Sequence, residues 1–365
     1  MQKGSKQNDR IVALWLYSGC FMLAVILIVG GLTRLNQAGL SITEWEVIGG
    51  VIPPVNSGQW QSAFDQYRQF PEYQQLNKGM SLVDFKYIYW WEYSHRLLGR
   101  ILGLLFVIPF IIFLWKRKIN LNLASKVSGI FILGGLQGLL GWYMVQSGLM
   151  GEPYVSHLRL TLHLGLAVLI FGLLFRLALS TWYENETKIV SQTIPHYLRT
   201  MVLILIALVF IQILYGGLVA GLKAGFVYNT FPRMGAYWIP LEIGSFGPWW
   251  SDVVNNSVTV QFIHRMLAYS LSILVFWIWL TIKRMNVNPK VTFASHLLLA
   301  LIIIQITVGV SVLLTYVPVW LSALHQSLAL LVFSAALWVE KLMQKEPGEF
   351  ETQVLHKKDN SKEFA

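Results

Sequence analysis

Apolar residues in this chain gather into long runs broken by short charged or aromatic stretches. Eight such runs occupy 11–32, 93–115, 124–145, 159–181, 199–221, 258–282, 291–315 and 317–341. Each is long enough to cross the hydrocarbon core of a bilayer as a helix, which takes about 20 apolar residues. The pattern predicts an all-α integral membrane protein with eight transmembrane helices. Between the first two runs, Trp60, Phe64 and Tyr67 recur at i, i+4 and i+7 and predict a short interfacial helix. Ser81 and Asp84 have the spacing of a capping box opening the helix that becomes the second span. Tyr87, Tyr89, Trp90 and Trp91 read as an aromatic belt at the membrane surface.

The eight runs form two sets of four. LHLGLAVLIF (162–171) and LHQSLALLVF (324–333) share L-H-x-x-L-A-x-L-x-F, and His95 and His264 each open H-R-x-L followed by Gly99 or Ala268. The first and fifth runs end in G-G-L-x5-A-G, at Gly30–Gly39 and Gly216–Gly225. The third and seventh share Q-x3-G, at Gln137/Gly141 and Gln305/Gly309. Four spans per repeat preserve orientation, so the expected architecture is two pseudo-symmetric four-helix bundles in parallel tandem. Their expected bounds are 1–182 and 183–345, followed by a charged, disordered cytoplasmic tail at 346–365.

Composition agrees: 55% of the 365 residues are hydrophobic and 13% charged, with mean hydropathy +0.55. A net charge of +10 would suggest nucleic acid in a soluble protein. Here the basic residues have a membrane address instead. Lys3, Lys6 and Arg10 precede the first span, Lys116, Arg117, Lys118 and Lys126 join the second to the third, and Lys283, Arg284 and Lys290 join the sixth to the seventh. Lys341, Lys345, Lys357 and Lys358 follow the eighth. The positive-inside rule then places both termini in the cytoplasm, with a bacterial inner membrane the simplest location. The first run lacks a small-residue cleavage site and reads as an anchor. Cys20 is the one cysteine, which excludes an intramolecular disulfide, a CxxC redox motif and a thiolate cluster.

Four histidines stand near the starts of the even-numbered spans, one in each: His95, His163, His264 and His325. They fall two to eight residues past those starts, within roughly 3–12 Å of the outer interface at about 1.5 Å per residue. Paired imidazoles at equivalent repeat positions in a membrane bundle point to bis-histidine haem ligation, two ligands per bundle. Arg96 and Arg265 follow the histidines of spans two and six and suit haem propionates, which a planar guanidinium can hold bidentately. Arg100 and Arg159 lie one turn from His95 and His163, and Arg159 is as well placed to reach outer headgroups. Glu92 stands three residues before His95 on the same helical face, where the second half has Gln261. That difference places the chemistry in the N-terminal half. One E-x-x-H motif is too few for a di-iron bundle, which needs two plus further carboxylates. His157 reads as a loop residue; His196, His296 and His356, without repeat partners, read as structural or solvated.

At these residues the sequence resembles the haem A synthase family, through GGLTRLNQAGLSITEW, EYSHRLLGR, QGLLGWYMVQSGL, RLTLHLGLA, GGLVAGLKAGFVYNTFPRMG, QFIHRML and LTYVPVWLSALHQ. The likeness covers essentially the whole chain and is to the proteobacterial and mitochondrial branch. The cysteine pair found in the first external loop of a Gram-positive branch is missing here. The resemblance implies an oxidoreductase that converts the C8 methyl of haem O to a formyl by successive hydroxylations, giving haem A for terminal oxidases. It implies haem b as cofactor on His264 and His325, a substrate haem iron flanked by His95 and His163, and a catalytic role for Glu92. Haem O synthase and terminal-oxidase assembly factors are the partners it suggests, with the electron partner unidentified and a homo-oligomer left open. Two other classes compete. A di-haem b-type electron-transfer cytochrome would place two histidines on one helix, whereas each helix here supplies one. A transporter with parallel repeats would need midplane polar residues and broken helices.

Overall fold

The computed structural model describes residues 2–44, 49–149, 153–183 and 194–344. The expected disordered tail at 346–365, with His356, lies outside the described residues. Eleven α-helices are described: α1 (Gln2–Leu35), α2 (Ser57–Tyr67), α3 (Pro71–Gln75), α4 (Leu82–Trp115), α5 (Leu121–Leu149), α6 (His157–Tyr183), α7 (His196–Gly221), α8 (Trp249–Asn255), α9 (Ser257–Arg284), α10 (Pro289–Leu314) and α11 (Val319–Leu342). Eight of them, all but α2, α3 and α8, are long and apolar enough to cross a membrane. In lipid the backbone must satisfy its own hydrogen bonds, so long apolar runs become helices.

Local chemistry sets the starts. Ser81 and Asp84 form the expected capping box reciprocally at the head of α4. Asn256 accepts from Val258 and Thr259 at the head of α9, and Asn288 with Pro289 opens α10. α4 is longer than its apolar run predicts: 93–115 is only the later part of Leu82–Trp115. The extra turns are stabilised by an aromatic cluster outside the span, where Trp60, Phe64 and Tyr67 of α2 pack on Phe85, Ile88, Tyr89 and Tyr93 of α4. The expected short helix is therefore present, but its apolar face meets α4. Tyr89, assigned above to a surface belt, is buried in that cluster with its ring 5.0 Å from Trp60, while Tyr87 and Trp90 stay exposed.

The packing fits two sets of four. α1 packs on α4 and α6, and α5 on α6; in the second set α7 packs on α9 and α11, and α10 on both α9 and α11. The sets join through α6 against α7 and α11, and through α1 against α11. One buried core of aliphatic and aromatic side chains runs through this junction, including Leu16, Leu174, Leu205, Ile278 and Ala336. Across the same seam Gln326 of α11 donates to the Leu27 carbonyl of α1 at 2.6 Å. A Cβ on Gly31 would lie only 2.1 Å from the Gln326 Oε1, so α1 must be bare there for α11 to approach.

Candidate haem-binding site

Each of the four histidines packs against a glycine of a neighbouring helix. A Cβ placed on Gly30 of α1 would sit 3.1 Å from His95 Cε1, and one on Gly141 of α5 would sit 2.9 Å from His163 Cε1. In the second half the same construction gives 3.6 Å from Gly216 of α7 to His264, and 2.6 Å from Gly309 of α10 to His325. These are the glycines of the two repeated strings. At Gly30, Gly141 and Gly309 an imidazole crowds the volume a side chain would fill, while at Gly216 the ring makes an ordinary contact.

The glutamine of Q-x3-G stands one turn from its glycine and works on the same histidine. Gln137 Nε2 donates to the His163 carbonyl at 3.0 Å and lies 3.1 Å from the His163 Nδ1. Gln305 Nε2 lies 3.4 Å from His325 Nε2. Gln212 of α7 donates to the His264 carbonyl at 3.0 Å and lies 3.4 Å from its Nε2. The first-half counterpart of Gln212 is Ile26. The repeat gives no sign of Gln212, because its partner position is apolar and no shared polar pair marks it.

The His264 and His325 rings face each other with centroids 6.4 Å apart. Nδ1 of His95, His264 and His325, and Oε1 of Gln137, Gln212 and Gln305, are buried with no hydrogen-bond partner. Buried polar atoms are seldom left so, and imidazoles with free nitrogens aimed into a bundle suit axial ligation of a haem iron. Among the described residues no three His, Cys, Asp or Glu side chains gather around a bare metal position.

The acid of E-x-x-H has a well-defined environment. Glu92 is buried, and its Oε2 accepts from the Ser41 backbone N–H and hydroxyl, both at 2.7 Å, and from the Ile42 N–H at 3.0 Å. Its Oε1 pairs with Arg96, whose guanidinium also donates to the carbonyls of Ile42 and Glu44. In the second half Gln261 donates to the Tyr228 carbonyl, and Arg265 to the carbonyls of Tyr228 and Thr230. The E/Q-x-x-H-R motif thus clamps the loop that follows the first helix of its half. In the first the clamp is a carboxylate receiving N–H groups; in the second it is an amide giving one. Ser41 and Ile42 carry no sequence signal of this role.

Two ionisable clusters lie outside the spans. Glu72 of α3 is buried, which pushes its carboxyl up to about 7; the Tyr67 hydroxyl at 3.1 Å opposes the rise, nearby Glu92 adds to it, and Arg34 opposes it. For Asp252 of α8, burial acts upward. It is outweighed by hydrogen bonds from Thr259, Asn256 and the N–H groups of Gly244 and Phe246, which hold its carboxyl below the ordinary value.

His157 corrects the loop assignment. It is the first residue of α6, packs against Gly221 of α7, and meets Asn255 Oδ1 at 2.8 Å through Nε2. The α6–α7 packing draws it into the seam between the halves. Arg159 lies over the Tyr143 ring at 4.8 Å. His196 starts α7, and His296 bonds the Thr292 carbonyl one turn back, both away from the bundle interiors.

Known proteins are similar to this chain over nearly its whole length. A haem A synthase from Nitrosospira multiformis is 45% identical over 335 residues, 92% of this chain and 94% of that protein. One from Nitrosomonas eutropha is 44% identical over 91% of this chain and 94% of that protein. The haem A synthase of Flavobacterium psychrophilum is 38% identical, covering 91% and 98% respectively. The family model described as cytochrome oxidase assembly protein, COX15-CtaA, matches residues 13–337. That match runs from the first helix to the last and includes all four glycine-backed histidines, so the chain belongs to the COX15-CtaA family of cytochrome oxidase assembly proteins.

Proposed function

We propose that this chain is a haem A synthase that takes haem O into the N-terminal bundle and oxidises its C8 methyl to the formyl of haem A. The observation that carries the reading is the doubled histidine–glycine arrangement with a carboxylate clamp in one half and an amide in the other. Two equivalent histidine pairs, one beside a carboxylate and one beside an amide, suit one reactive haem and one electron-carrying haem.

His264 and His325 would hold haem b, with Gln212 and Gln305 steadying the two imidazoles. That group, when bound, supplies electron transfer. In the N-terminal half His95 and His163 would flank the substrate iron, with Gln137 orienting His163. Glu92 holds negative charge one turn from His95. It can stabilise positive charge developing as hydrogens leave the methyl carbon, or accept the protons. Arg96 and Arg265 fix the loops over the two sites, and haem propionates are proposed to lie beside the two guanidiniums. The loop over the first site, pinned by Ser41 and Ile42, keeps bulk water from the reacting edge. The position is proposed to be the bacterial inner membrane, with both termini in the cytoplasm and the histidine end outward.

The test is expression beside a source of haem O, followed by chromatography of the extracted haems. Haem b together with haem O or haem A supports the reading. Haem b alone would make the chain an electron-transfer cytochrome, and no tightly bound haem would favour a transporter.

A further inference from the structure

The two halves differ most where the histidines do not reach. On α4, Gly99 and Gly103 follow His95 at i+4 and i+8, so all three lie on one face. On α5, Gly138 and Gly134 precede Gly141 by three and seven residues and continue the face that meets His163. α4 and α5 run in opposite directions from a common loop end. Both glycine pairs therefore lie one and two turns nearer that loop than His95 and the His163-contacting Gly141. A Cβ on any of these four glycines would meet nothing within 4 Å.

The second half fills the same space. The counterparts of Gly99 and Gly103 are Ala268 and Ser272, and those of Gly134 and Gly138 are Ile302 and Ile306. Ile302 is buried there, and α9 and α10 pack against each other, whereas α4 and α5 hardly approach. One turn beyond the gap stands His95, whose buried Nδ1 has no hydrogen-bond partner and whose ring lies against Gly30 of α1. Glycine is poor in helix interiors. Four of them on two helices that stand apart, three of them exposed and each replaced by a larger residue in the twin bundle, leave a side-open gap that an apolar chain can enter.

We propose that the slot between α4 and α5, lined by Gly99, Gly103, Gly134 and Gly138, binds the isoprenoid chain of the substrate haem and selects haem O over haems without that chain. The inference rests on the N-terminal half being the haem O site. A porphyrin edge at His95 and His163 places a long apolar substituent where it must enter lipid or the bundle. The bare glycine faces let it run between the helices for about 12 Å, eight residues of helical rise. The C-terminal bundle, proposed to hold haem b, has no such chain to house and is closed by isoleucine.

The test copies the second half into the first: Gly99→Ala, Gly103→Ser, Gly134→Ile and Gly138→Ile in one chain. Purified holoprotein, with haem already in the C-terminal bundle, is titrated with haem O and separately with haem b. The proposal expects haem O affinity to fall about tenfold or more while haem b affinity at the N-terminal site stays within about twofold. Unchanged haem O binding, or equal weakening of both haems, overturns it. Retention of the C-terminal haem spectrum verifies folding; if the fourfold variant loses it, Gly138→Ile alone is judged by the same titrations. Wild-type protein that binds both haems equally in the N-terminal half overturns the slot alone. Wild-type protein that binds neither there overturns the reading of that half as a haem site.

Discussion

Glu92 and Ser41 are joined twice, the carboxylate accepting from both the backbone N–H and the hydroxyl of Ser41 at 2.7 Å. The acid closest to His95 in sequence is thus also the anchor of the loop that follows α1. The loop therefore holds the carboxylate in one orientation.

This double role separates two substitutions. Glu92→Gln keeps the volume but removes the charge and one acceptor, so the amide oxygen can serve the Ser41 and Ile42 donors or Arg96 but not both. Haem A formation should fall by about 10²-fold, with haem b content near wild type, as for other catalytic charges. Ser41→Ala removes one of several donors and should lower product less than tenfold. Extracted haems from both variants measure this, and wild-type haem A yield from Glu92→Gln would leave the residue as a loop clamp only.

Glycine contacts rank the four histidine seats. A Cβ at Gly309 would come to 2.6 Å from His325, whereas one at Gly216 would make ordinary contact with His264 at 3.6 Å. Gly309→Ala should displace the ring and lower haem b occupancy about tenfold, the scale of an overpacked core. Gly216→Ala should leave the reduced spectrum unchanged. Reversed sensitivity in the two variants would contradict the seating.

His264→Ala and His325→Ala should each abolish or alter the low-spin haem b spectrum of the purified protein. An unchanged reduced spectrum in both would remove the C-terminal bundle as the haem b site.

Glu72 makes stability pH-dependent. Burial raises its folded carboxyl to about 7, well above the 4.5 of an ordinary solvated glutamate. The unfolded chain therefore ionises first as pH rises. The stability of keeping Glu72 neutral is complete below about 4.5 and is lost progressively up to about 7, by roughly 3 kcal/mol at most. Thermal unfolding between pH 5 and 7 should show Tm falling with pH in the wild type, and that slope should be largely absent in Glu72→Gln.

The orientation has a labelling test. A cysteine placed at Ser57, the first residue of α2, in a Cys20→Ala background should react with an impermeant thiol reagent in intact cells. Labelling only after the membrane is opened would invert the topology.

Much of the protein is readable from order along the chain alone. The eight helices follow because lipid permits apolar runs of that length no other ordinary fold. The twofold repeat follows because duplicated segments keep the spacing of histidine, glycine and glutamine. The Ser81–Asp84 cap and the α2 stripe of Trp60, Phe64 and Tyr67 are also local, and local geometry is what residue spacing encodes. Tertiary packing decided the rest. It turned the α2 stripe toward α4, lengthening that helix beyond its apolar run, and drew His157 into the seam against Gly221 and Asn255. It brought Ser41 and Ile42 to Glu92 across about fifty residues, a pairing that no short motif encodes. It also set α4 apart from α5 while closing α9 on α10. The glycines that permit this are visible in the sequence, but a glycine says only that a side chain is missing. Whether the space is taken by an imidazole, as at Gly30 and Gly309, or left open, as at Gly99 and Gly138, depends on where the neighbouring helix lies.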